Sequence, residues 1–390
     1  MEKQTVSIQY RSPNRSDLGI TVRREPFRLF FLMAAIDAML GAAAWLPVAF
    51  TTETLSVGAP GVWHRNALLF GTIPAVLAGF LLTALPRWTK QPAASRSTMR
   101  FLAATWVAAR VSSFLFATVG LALAAVFVLS LTIVAARPVI ASRDRRNVKV
   151  VLLLSCFCAS IVAMAGAWHV ELALRIAIAS IIGLVTIIGG RIVPALTAAY
   201  TRQTGGRRLI RLSTQVERAA AIATTCALAA WAIAPQAWLT GAACAAAAVC
   251  QLLRVAQWRG WQGRVPWSII ALHVGYCWTV AGFMLLALHV FFPETVGRGA
   301  GIHAWTIGAF GMMGLAIMAS MIRKHSGHPF SDSIPATAAF VAIMLSCLSR
   351  LVVETPVDDG GLWLRISAGL WIAAFGLFLV AFGGYLLGRE

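Results

Sequence analysis

Acidic side chains are scarce in this chain: 14 Asp and Glu stand against 33 Lys and Arg, and charged residues make up only 12% of it. A solvated globular surface needs about twice that share, so a soluble domain is excluded. Cysteine is missing where it would matter for cross-linking. Cys156, Cys158, Cys226, Cys244, Cys250, Cys277 and Cys347 all fall inside apolar runs, an odd number with none in a loop, which excludes a disulfide framework. Cys156 and Cys158 are two apart on a helix, point different ways and make a poor metal pair. A Walker loop, a dinucleotide fingerprint, a His-Glu-x-x-His pair and a nucleophile beside a base are all absent, so no catalytic motif is legible.

What remains is apolar. With 59% hydrophobic residues and a mean hydropathy of +0.78, the composition is that of an all-α, polytopic membrane protein. Apolar runs at about 28–49, 66–86, 100–117, 119–140, 148–167, 174–198, 219–237, 238–257, 267–290, 300–322, 333–353 and 362–387 predict a bundle of twelve transmembrane helices. Residues 1–27 form a polar tail without a signal-peptide core, and 28–390 one transmembrane domain.

Charge orients the bundle. Of the 33 Lys and Arg, 21 lie outside these runs in the N-terminal segment, the even-numbered loops and the C-terminal tail, whereas the odd-numbered loops hold only Arg65 and Arg298. Because positive loops resist translocation, both termini are expected in the cytoplasm. The net charge of +19 is then a matter of orientation, and nucleic acid is not a partner.

The stretch 63–92 organises the rest. It presents His64 at the mouth of an uncharged run from Asn66 to Leu85, with Trp63 and Trp88 expected as anchors at the two membrane faces. Gly71, Pro74 and Gly79 invite a kink or a close neighbour. Charges inside the apolar runs are costly unless paired. Asp37 in the first helix and Arg110 in the third lie at similar depth and are expected to form a buried charge pair. Gly189, Gly190, Arg191 and Pro194 predict a helix break, and Arg175, Arg350 and Arg365 are expected to snorkel at outer ends. His64, His169, His289 and His303 fall near the outer face, His273 near the inner one, and His325 and His328 in the loop after helix ten. Imidazoles on separate helices at one depth could clamp a metal. Met312, Met313, Met318 and Met321 are read as core packing.

Several segments together resemble the NnrS family, haem- and copper-containing membrane proteins linked to the nitric oxide response. They are Pro26-Phe-Arg-Leu-Phe-Phe31, Trp63-His64 with Leu69-Phe-Gly71, Ala78-Gly-Phe-Leu-Leu-Thr-Ala-Leu-Pro-Arg-Trp-Thr89, Gly189-Gly-Arg-Ile-Val-Pro194, Leu272-His-Val-Gly-Tyr276, His303-Ala-Trp-Thr-Ile-Gly308 and His325-Ser-Gly-His-Pro329. The family's His-Ala-His-Glu-Met-Leu-Phe-Gly is replaced here by His64-Arg-Asn-Ala-Leu-Leu-Phe-Gly71, without the second histidine and the glutamate.

The resemblance implies a b-type haem, with or without copper, nitric oxide as a ligand, and a multi-pass location in a bacterial inner membrane. It carries His64, His273, His303 and His325 as metal ligands. His64 and His303 would bind near the outer face, and His273 and His325 would form a second, inner or proton-linked site. Arg65, Arg298 and Arg365 are the expected partners of haem propionates. Two alternatives stay open: a secondary transporter using the Asp37–Arg110 pair in alternating access, and a membrane scaffold assisting another metalloprotein.

Overall fold

The computed structural model describes residues 25–46, 60–204, 213–260, 265–328, 330–355 and 361–388. Most of the expected 1–27 tail, and Pro329 of the histidine-proline segment, lie outside them. Twelve helical rods and no strand are present among the described residues. They are α1 (Pro26–Trp45), α2 (Pro60–Ala67, a π-helical turn Leu68–Thr72, then Ile73–Thr89), α3 (Arg96–Leu115), α4 (Ala117–Ala141), α5 (Arg145–Ala165) and α6 (Val170–Gln203). Then follow α7 (Thr214–Ile233), α8 (Trp238–Trp258), α9 (Trp267–Phe291), α10 (Ala300–His303, a π-helical stretch Ala304–Met312, then Met313–His325), α11 (Ile334–Val352) and α12 (Leu362–Leu386).

Eleven of the rods are long and apolar enough to cross a membrane; the exception is α3, which carries Arg96, Arg100 and Arg110. The chain is thus a polytopic helical membrane protein. The two sparest divisions of the apolar pattern are real turns. Only Phe116, in extended conformation, separates α3 from α4, and Gly120 lets the two approach because a Cβ there would strike the Ser113 backbone. The second turn, around Pro235, separates α7 from α8.

Neighbours in sequence pack side by side, and α12 returns to α1, where Trp371 Nε1 donates to Ala38 O at 3.0 Å and Arg28 donates to Tyr385 O. Two rods run through the middle: the apolar window of α2 is 94% buried and that of α10 72%. Both contain the π-helical segments, which widen the helix and are concentrated at functional sites in proteins generally. In α2 the widened turn leaves Gly71 O to accept the Trp106 indole N–H at 2.9 Å.

Two expectations fail here. Trp63 is 4% exposed and packs on Phe114 with ring centroids 5.1 Å apart, so it is a core residue rather than an interface anchor; α2 begins before it, and the bundle surrounds α2. Gly189, Gly190, Arg191 and Pro194 do not break their helix, because α6 is continuous from Val170 to Gln203. The glycines serve packing instead. A Cβ on Gly189 would meet Met313 and Tyr276, and one on Gly190 would meet the Arg254 guanidinium. Arg191 reaches sideways to Asn147 Oδ1 and Arg146 O, both at 2.7 Å.

Candidate functional site

The end of the bundle at which α2 and α10 begin, the upper end, holds a cluster of polar groups that includes His64, His303, Arg350 and Glu354. His64 sits in the first turns of α2, four residues before its π-helical turn, and His303 stands directly before that of α10. The two imidazoles lie within electrostatic reach of each other, and Arg350 acts on both.

His303 is held by the residue that precedes its own helix. Its Nδ1 lies 2.8 Å from Gly299 O and 3.4 Å from Glu354 Oε1, which fixes the N–H on Nδ1 and leaves the Nε2 lone pair for a ligand. Metal-bound histidines commonly donate their other N–H in this way. Glu354 is gripped in turn: Arg350 approaches Oε1 at 2.9 Å and the Gly299 N–H donates to Oε2 at 3.0 Å. Burial pushes the Glu354 carboxyl up, but its hydrogen bond with His303 and the charge of Arg350 outweigh this and hold its pKa down to about 2. It is therefore a carboxylate at neutral pH.

Beside this cluster a cavity of about 490 Å³ opens, lined by Glu171, Arg175, Arg298, Gly299, Ile302 and Glu354. Glu171 also acts on Arg65, whose Nε donates to Asn66 Oδ1 at 3.3 Å. Arg298 and Arg65 are thus tied to the neighbourhood of the two histidines, whereas Arg365 is exposed near the start of α12. Two arginines expected to snorkel are turned to protein. Arg350 holds Glu354 at 2.9 Å, and Arg175 donates from Nε to Ala232 O at 2.8 Å.

His273 and His325 have separate partners. His273 Nδ1 lies 3.0 Å from Ile269 O, and its ring faces Trp258. His325 Nδ1 lies 2.7 Å from Met321 O, its ring centroid is 4.8 Å from that of Phe27, and its Nε2 is 3.4 Å from Glu25 Oε1. These are two single-imidazole positions with separate partners, and no contact between them occurs among the described residues. No group of three His, Cys, Asp or Glu poised to hold a metal ion occurs among the described residues.

Asp37 and Arg110 meet in the core. Arg110 Nε donates to Asp37 Oδ1 at 2.6 Å, and Thr72, the last residue of the α2 π-helical turn, donates to Oδ2 at 2.7 Å. A second buried network escaped the sequence reading. Arg254 binds both Glu217 oxygens, at 2.9 and 2.6 Å, and the Tyr276 hydroxyl at 2.7 Å, and Tyr276 donates to Gln251 Oε1 at 2.8 Å. Glu354 was missed as well. The only signal in the sequence was its i,i+4 spacing from Arg350, a pattern that Glu171 and Arg175 repeat.

No curated protein matches the chain. One family model does, that of the NnrS protein, and it covers residues 21–389. The match takes in all twelve rods, both π-helical segments and each histidine discussed above, and on that extent the chain belongs to the NnrS family.

Proposed function

We propose that this protein is an integral membrane haem protein of the response or resistance to nitric oxide, with His64 and His303 as the iron-facing imidazoles. The observation that carries the reading is the placement of these two histidines at the upper ends of the two most enclosed rods, within electrostatic reach of each other and each just ahead of a π-helical segment. A porphyrin brings four nitrogens of its own, so one or two imidazoles complete its iron. A lone copper or zinc ion needs three or four protein ligands. The two-imidazole set therefore suits haem better than copper, for which the described residues offer no three-ligand group.

When bound, haem iron supplies a site for a diatomic ligand and one-electron chemistry. The chain's own part is positional. Gly299 O and Glu354 orient His303, and Arg65 and Arg298 are the cations available to acidic edge groups; Arg365, on the exposed side of α12, is the weakest of the three for that role. His273 and His325, each with Nδ1 tied to its own helix, keep Nε2 for a separate proton-linked or ligand role.

The topology proposed is twelve crossings of a bacterial inner membrane, as one domain over 28–390, with both termini in the cytoplasm and the upper end outside. The lysine and arginine asymmetry supports it, and Asp37 neutralises the charge that makes α3 less apolar than the rest. The test is the visible spectrum of the protein purified from haem-replete cells. A Soret band that shifts on adding nitric oxide is expected, and its absence together with absence of iron sinks the reading. A spectrum unchanged in both His64→Ala and His303→Ala refutes the ligand choice alone. The buried Asp37–Arg110 pair keeps transport as a second reading. Solute uptake into vesicles that is lost in Asp37→Asn would favour it.

A further inference from the structure

The odd-numbered loops, at the upper end, hold only two cations, Arg65 and Arg298. Arg298 lines the cavity, and Arg65, in the first turns of α2, lies outside its lining but within electrostatic reach of its rim residue Glu171. Arg175 lines it from α6. Its two carboxylates already have partners: Glu354 pairs with Arg350 at 2.9 Å and Glu171 with Arg175 at 3.9 Å, so the uncompensated cation of the lining is Arg298. Arg298 has no hydrogen bond or ion pair among the described residues.

Two further features place the cavity at headgroup depth and give it an apolar floor. Trp168, Trp238 and Phe292 are each more than half exposed, and they stand at the upper ends of α6, α8 and α9, where amphipathic rings mark the boundary between water and hydrocarbon. A cleft of about 60 Å³ shares Glu171, Arg175, Arg298 and Ile302 with it and continues between Leu174, Trp231 and Leu286.

We propose that this cavity is a specific site for an anionic phospholipid, the phosphate lying between Arg175 and Arg298 and the first methylenes entering the cleft. The site borders Glu354, and through it His303, so the bound lipid closes the membrane-facing side of the histidine layer. The proposal does not rest on haem; it concerns only the arginines, the cleft and the aromatic rim.

The experiment is native mass spectrometry of the full chain released from nanodiscs containing equal phosphatidylcholine and phosphatidylglycerol. The wild type is expected to retain phosphatidylglycerol preferentially. An arginine at a lipid surface is worth about a fivefold preference, so Arg298→Gln and Arg175→Gln should each reduce it by about that factor, while Arg218→Gln, exposed on α7 at the other end, should not. Arg298 is exposed, so its variant carries the test even if Arg175→Gln folds poorly. Equal retention of the two lipids, or a preference untouched by Arg298→Gln, overturns the proposal. Inorganic phosphate binding in pure phosphatidylcholine discs, abolished by Arg298→Gln without any lipid preference, also overturns it and assigns the cavity to a soluble anion. Repeating the measurement on haem-free protein separates this outcome from the haem reading, because a lipid preference there is independent of porphyrin.

Discussion

Asp37 and Arg110, 73 residues apart in the chain, share a 2.6 Å ion pair in the interior, with the side chains 9% and 11% exposed. Breaking one half of such a pair leaves a buried charge without compensation, a cost of about 3–5 kcal/mol. Asp37→Asn and Arg110→Gln are each expected to lower the thermal midpoint in detergent sharply. The double replacement Asp37→Leu with Arg110→Met should restore much of it. A double variant no better than the singles would mean that the pair has a role beyond neutralising itself.

Gly282 on α9 faces the fully buried Trp305 of the α10 π-helical stretch, and a Cβ there would overlap the indole. Overpacking of this kind costs about 1–3 kcal/mol. Gly282→Ala should destabilise the protein and, in the haem reading, perturb the spectrum, because the strained segment begins next to His303. Gly369→Ala, on open space in α12, should be neutral or slightly stabilising in the same thermal assay.

The Arg254 network makes a separate forecast. Tyr276→Phe removes a buried hydroxyl that accepts from Arg254 and donates to Gln251, leaving both partners short of a bond. A loss of about 1–3 kcal/mol is expected. Gly190→Ala should weaken the same network by pushing the guanidinium off Glu217, and the two variants combined should cost less than their sum. Strict additivity in unfolding experiments would show that they act on different structures.

Glu354 sets a pH dependence of known sign. Its folded pKa of about 2 lies below the ordinary value of 4.5, so its contribution to stability is complete above about pH 4.5 and fades as pH falls towards 2. Thermal midpoints measured across that interval should drop in the wild type more than in Glu354→Gln. Parallel curves would contradict the hydrogen bond with His303 and the ion pair with Arg350 as the source of that low value.

Much of the architecture was legible because membrane insertion reads local composition. Twenty apolar residues make a span wherever they occur, and the turn at Pro235 or the depth of Asp37 can be counted along the chain. Trp63 misled for the same reason: its neighbours in sequence are those of an interface anchor, yet the rods around α2 bury it. Gly189 and Gly190 misled likewise, since a glycine pair beside a proline looks like a break until Arg254 and Tyr276 are seen to fill the space.

Sequence alone determined the class of molecule, the succession of rods and the Asp37–Arg110 partnership, all of which depend on hydropathy and depth along single helices. Only the tertiary structure decided that α2 and α10 form the centre, that both widen into π-helical turns beside a histidine, and that Glu354 and Arg350 close around His303. Those relations join residues far apart in the chain, and their energies arise from packing and buried hydrogen bonds that no local window contains.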